Sequence, residues 1–169
     1  MTDAGKGATM KDGQSPKATG ISDLTGKVVR VRHANEADMV FIEDTMKKYG
    51  FDTGNLDYSE FVVAAENGKI VGFGRLKKIG SIYDVGCIVV IEGKKGRGIG
   101  QLIAKHLVDF ETVERVYVAA ERADYFRNMG FAEMKGRPKE YLDALDFVCK
   151  PGDKNKVLMS RERNAAKGK

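Results

Sequence analysis

The chain has 169 residues, 42% of them apolar and 31% charged, which is the balance of one globular domain able to bury a core without disulfide staples. Two cysteines (Cys87, Cys149) and two histidines (His33, His106) supply neither a disulfide framework nor a zinc site. The longest apolar run, residues 85–91, is far shorter than the about 20 residues of a membrane helix. The formal charge is +5, but residues 160–169 hold four cations against one acid, so most of the excess sits in a tail that forms no docking face. With no apolar secretory core at the N-terminus, a soluble chain in a reducing, cytoplasmic setting is the default. Membrane, metal and nucleic acid are poor partners.

Residues 1–26 hold five glycines, no aromatic residue and no valine, and read as a flexible leader. Order is expected from Lys27, where Val29 and Val31 alternate with Arg30 and Arg32 as in a half-buried strand. Asn35 can cap a helix carrying Met39, Ile42 and Met46 at helical spacing, stopped at Gly50. Strands 61–66 and 69–77 flank Asn67-Gly68, the dipeptide of a tight type I′ hairpin. A third strand covers 81–91, and an amphipathic helix covers 98–110. A strand at 115–119, a short helix at 121–129, a strand from Phe131, a helix at 138–145 and a last strand at 156–160 follow. This order predicts a mixed α/β domain over 27–160, with one mostly antiparallel sheet, flanking helices and a basic tail at 161–169. The sheet is expected to be parallel only where the strands around helix 98–110 meet.

Chemistry concentrates at Glu92-Gly-Lys-Lys-Gly-Arg-Gly-Ile-Gly100, a glycine-rich basic loop between a buried strand and a helix start. Glycines let successive backbone N–H groups converge, and a helix N-terminus adds partial positive charge, so phosphate is favoured. A nucleoside-triphosphate loop is excluded because Ile99 stands where its lysine belongs. A dinucleotide fingerprint is excluded because Gln101 stands at its third glycine. The plain alternative is a flexible basic loop.

Lys95-Gly-Arg-Gly98-Ile-Gly100, followed by Tyr125-Phe126-Arg-Asn-Met-Gly130-Phe131, resembles the two landmarks of the GNAT N-acetyltransferase superfamily over about residues 28–160. The resemblance implies the GNAT-like acyl-CoA N-acyltransferase fold, acetyl-CoA as co-substrate, no metal, and a small primary amine as acceptor. It implies that Ile88, Val89 and Val90 hold the acetyl and pantetheine part. Lys95, Gly96, Arg97, Gly98, Ile99, Gly100 and Gln101 would take the pyrophosphate, with Phe126 packed under the donor. Gly86 is a candidate for the bulge that splays the strand. Asp84 matches the family's general base, against a plain reading as a solvated strand-end acid. Tyr125 is the candidate acid, although Tyr125-Phe126 reverses the family's usual Phe-Tyr order and so leaves the acid open.

Ala119-Ala120 ahead of Tyr125-Phe126, with Pro138 and Cys149 downstream, is similar to amino-acid N-acetyltransferases of the N-acetylglutamate synthase type. An amino-acid acceptor needs a cation for its carboxylate, and Arg75 is the first candidate, Arg32 the second. A peptide acceptor, a non-catalytic acyl-CoA sensor and a homodimer remain open at this level.

Overall fold

The computed structural model describes residues 20–110, 114–136, 139 and 156–162. Eight strands form one sheet: β1 (Gly20–Ser22), β2 (Val28–His33), β3 (Phe61–Glu66), β4 (Lys69–Ile79), β5 (Ile82–Val90), β6 (Arg115–Ala120), β7 (Ala132–Glu133) and β8 (Val157–Glu162). Their order is β1-β2-β3-β4-β5-β6-β8-β7. Among the described residues only β5 and β6 pair in parallel, across helix α2 (Ile99–Phe110). Two further helices are described in full, α1 (Met39–Lys48) and the short α3 (Ala123–Arg127). Among the described residues no helix is long and apolar enough to cross a membrane, and no group of three or more His, Cys, Asp or Glu could hold a metal ion.

Local chemistry accounts for the elements. Asn35 accepts from the Asp38 amide while Asp38 accepts from the Asn35 amide, a reciprocal cap on the 3-10 turn that leads into α1. Asn67 and Gly68 both take positive φ (50° and 76°), as a type I′ turn requires, and Glu66 pairs with Lys69 across it. The helix expected at 138–145 lies outside the described residues, as does Cys149.

Two expectations need correction. Sheet structure begins before Lys27: Gly20 pairs with Arg30 and Ser22 with Val28, so residues 20–26 are not a leader. The cause is Asp23, whose Oδ1 accepts from the Thr25 amide, the Thr25 hydroxyl and the Lys27 amide and so fixes the β1–β2 turn. At the other end, β8 carries Arg161 and Glu162 into the sheet and inserts between β6 and β7, so the last strand outruns residue 160.

The two sheet faces bury different cores. Val62, Ala64, Val85 and Val116 meet Ile99, Ile103 and Leu107 of α2, whereas Phe61, Val63, Phe73 and Val89 meet Ile42 and Met46 of α1. Helix α2 lies close because β4 has glycines beneath it. A Cβ on Gly74 would stand 2.7 Å from Ile103 and 2.8 Å from Leu107.

Candidate active site

The site begins with an irregularity in β5. Phe73 pairs with Val89 but Arg75 pairs with Gly86, so Cys87 and Ile88 together face the single residue Gly74. Cys87 absorbs the extra residue at φ 50°, a bulge one position later than Gly86. In a regular strand Val85 and Val89 would share a face; here Val85 enters the α2 core and Val89 the α1 core. Parallel pairing with β6 covers only Tyr83–Val116 and Asp84–Tyr117. Beyond Asp84 the two strands part, and a cleft of about 370 Å³ opens between them, lined by Ile88, Ala119, Tyr125, Phe126 and Lys156 among others.

On the α1 side lies a second, smaller cavity of about 50 Å³, bounded by Asp52, Arg75, Lys77 and Asp84. Phe51, Gly86 and Cys87 line both spaces. The bulge is therefore their common wall. Asp84 is 3% exposed, and its Oδ2 lies 3.6 Å from where a Gly86 Cβ would stand, so the glycine leaves room above the carboxylate.

Tyr125 projects from α3 toward the start of α2, its hydroxyl oxygen 3.3 Å from the position of a Gly100 Cβ. That oxygen is buried and has no hydrogen-bond partner among the described residues. Burial pushes its pKa up to about 12, so it stays a proton donor. Phe126 turns to the core instead, 9% exposed and edge-on to Phe131 at 5.5 Å. The reversed aromatic order thus puts Tyr125 along the cleft, its hydroxyl buried against the start of α2, and the Phe126 ring mainly in the core. Before α2, Gly93, Gly96 and Gly98 hold φ of 77–80°, the left-handed conformation that lets neighbouring amides point one way.

Residues 57–133 match the model of the acetyltransferase (GNAT) domain. That match spans somewhat less than half of the chain, which is similar to GNAT acetyltransferases over that stretch. Solved structures share its fold. Rv2747 from Mycobacterium tuberculosis, in complex with CoA and NLQ, aligns at TM-score 0.65 and 23% identity, covering 79% of this chain and 98% of that one. N-acetylglutamate synthase from Neisseria gonorrhoeae, complexed with coenzyme A and N-acetyl-glutamate, aligns at 0.60 and 17%, covering 79% of this chain but 35% of the larger enzyme. Diaminobutyrate acetyltransferase EctA from Paenibacillus lautus, in complex with its substrate L-2,4-diaminobutyric acid and coenzyme A, aligns at 0.56 and 15%, covering 81% and 96%. No curated protein sequence matches this one.

The cations singled out in the sequence are paired within the chain. Arg75 is 5% exposed; its Nε donates to Glu60 at 2.7 Å, one Nη donates to the Asn55 carbonyl at 3.3 Å, and it stacks 5.3 Å over Phe61. It still borders the small cavity, with its charge met by Glu60. Arg32 grips Asp38 through both terminal nitrogens, at 2.6 and 3.0 Å, on β2. In the glycine loop Lys95 pairs with Glu92, Lys94 with Glu66, and Arg97 with both Glu66 and Asp23.

Sequence reasoning missed Phe51, Asp52, Lys77 and Cys87. Phe51, the one apolar aromatic in a polar loop, and Lys77, two residues from Arg75 on one strand, left a readable trace. Nothing in the sequence marks a cysteine for positive φ.

Proposed function

We propose that this chain is an acetyl-CoA-dependent N-acetyltransferase whose acceptor is a small primary amine, an amino acid first among them. One observation carries the reading: a cleft lined by Tyr125 and a pocket lined by Asp84 meet at the Gly86–Cys87 wall. The acetyl thioester would lie in the cleft along Ile88–Val90, with its pyrophosphate on the amides between Lys95 and Gln101. The amine would enter from the pocket. Attack on the thioester carbon needs a neutral amine, and Asp84 is placed to take the proton that the amine loses. Expulsion of the thiolate leaves negative charge on sulfur, and the unpartnered Tyr125 hydroxyl would meet it. A phenol near pKa 12 is a weaker acid than a thiol near ~8.5. Its contribution is therefore a hydrogen bond to the leaving sulfur rather than completed protonation.

The pocket's small volume and its mixed charges (Asp52, Asp84, Arg75, Lys77) support a compact zwitterion. Lys77 pairs across the strands with Asp84, which puts a cation beside the base, as an amino acid presenting both groups requires.

The test is calorimetric binding of acetyl-CoA beside ATP and NAD, then thiol release with amino acids, their amides, polyamines and peptides. Selective binding with amino-acid turnover, lost on amidation of the carboxylate, is the expected result. Lys77→Ala should then raise KM for the amino acid several-fold with kcat nearly intact, the pattern of lost uniform binding. Binding without turnover would make the domain a sensor, and peptide turnover would reassign the acceptor.

A further inference from the structure

The glycine loop carries three cations, yet each is matched by a carboxylate of the chain itself. Arg97 is the most enclosed, with its side chain 11% exposed against a fully buried Asp23 and an 8% exposed Glu66. One terminal nitrogen of Arg97 meets Glu66 Oε1 at 2.7 Å, the other reaches Oε2 at 3.4 Å, and Nε donates to Asp23. Asp23 divides its oxygens: Oδ1 serves the β1–β2 turn and Oδ2 takes Arg97. The backbone repeats the contact, since the Leu24 amide donates to the Arg97 carbonyl at 3.1 Å.

We propose that Asp23 and Glu66 are positioning residues for the donor: they hold the Arg97 guanidinium inside the fold, so that the loop presents backbone amides rather than cationic side chains to phosphate. The inference rests on reading this loop as the acetyl-CoA site. A loop with three left-handed glycines is costly to order, and a planar guanidinium bridged by two carboxylates orders it in advance of binding. The carboxylates come from distant places, Glu66 at the end of β3 and Asp23 some 74 residues ahead of Arg97. Both stay ionised at any working pH. Hydrogen bonds from Arg97 and Lys94 hold Glu66 at about 2. Burial would raise Asp23, but hydrogen bonds from Thr25, Lys27 and Arg97 outweigh it and hold Asp23 at about 2.

Asp23→Asn tests this directly, because an asparagine oxygen can still serve the turn while its amide group faces Arg97 donor to donor. Glu66→Gln is the partner variant. Each should raise KM and Kd for acetyl-CoA about tenfold, with kcat and acceptor KM within about twofold. Amides 93–98 should exchange hydrogen faster in the donor-free variants. If Asp23→Asn does not fold, Arg97→Lys, which keeps the charge but lacks the planar fork that meets Asp23 through Nε and Glu66 through its terminal nitrogens, carries the same expectation. Unchanged donor affinity in these variants would overturn the proposal. So would tighter binding in Asp23→Asn, which would mean that a released Arg97 grips the phosphates itself. Wild-type protein that does not bind acetyl-CoA would instead remove the reading of the site, an outcome separable from the variants' behaviour.

Discussion

Tyr125 and Arg97 flank the start of the same helix, and the fold treats their polar ends in opposite ways. Tyr125 lines the cleft with its hydroxyl buried and without a hydrogen-bond partner among the described residues, whereas the Arg97 guanidinium is spent on Glu66 and Asp23. A buried unpaired hydroxyl costs about 1–3 kcal/mol, so leaving one at a cleft is tolerable chiefly where a ligand completes it. A buried arginine has the reverse logic, since its charge must be matched before any ligand arrives. On the proposed reading, the groups that await the acetyl donor are the uncharged ones, a hydroxyl and backbone amides, while the loop's charges maintain its shape.

Gly98→Asp should break the loop half of this contrast most severely. Gly98 sits at φ 78°, a Cβ there would stand 3.2 Å from Leu24, and a carboxylate would oppose phosphate. Acetyl-CoA affinity should fall by more than about 100-fold, and the thermal shift, about 2.7 kcal/mol at 100 times Kd, should vanish. A variant that folds and keeps its shift would mean that the donor binds elsewhere.

The cleft half is sharpened by Tyr125→Phe. Losing a hydrogen bond to a developing thiolate, about 1.5–3 kcal/mol, corresponds to a fall in kcat of about 10- to 100-fold. KM for acetyl-CoA should stay within about twofold, and the variant should be as stable as wild type because an unsatisfied hydroxyl has been removed. Unaltered kcat by steady-state thiol release would take Tyr125 out of the chemistry.

A smaller effect separates these charges from a third polar pair. His33 and His106 meet edge to face with ring centroids 6.1 Å apart, between β2 and α2. Burial lowers both pKa values; the neighbouring ring adds to this for His33, and Asp109 opposes it for His106. The unfolded chain takes up protons near pH 6.5, before the folded chain does. This contribution is complete above about pH 6.5 and is lost as pH falls through the lower folded values. Tm should be modestly lower at pH 5 than at pH 7, and His106→Gln should flatten the slope. Asp23 and Glu66, held near 2, contribute stability that is lost from about pH 5 downward toward 2, almost wholly below this window. A slope unaffected by His106→Gln would assign the acid loss to other groups.

Periodicity, caps and turn chemistry are local, and they determined most of the elements. The Asn67-Gly68 hairpin, the Asn35 cap, the helix after the glycine loop and the single parallel pairing all follow from neighbours in sequence. The loop and the aromatic pair also carried the resemblance to the GNAT superfamily without any coordinates. Three features needed the tertiary structure. The insertion of β8 between β6 and β7 is a choice among sheet edges, and local propensity does not distinguish those edges. The Cys87 bulge is set by register against Gly74 and by competing burial of Val85 and Val89, so it fell one residue past the glycine that sequence alone would choose. The fate of charge was the least legible. Whether an arginine meets a substrate or a carboxylate depends on which acids the fold brings within about 3 Å. For Arg97 and Arg75 those acids, Asp23 and Glu60, lie 74 and 15 residues away along the chain.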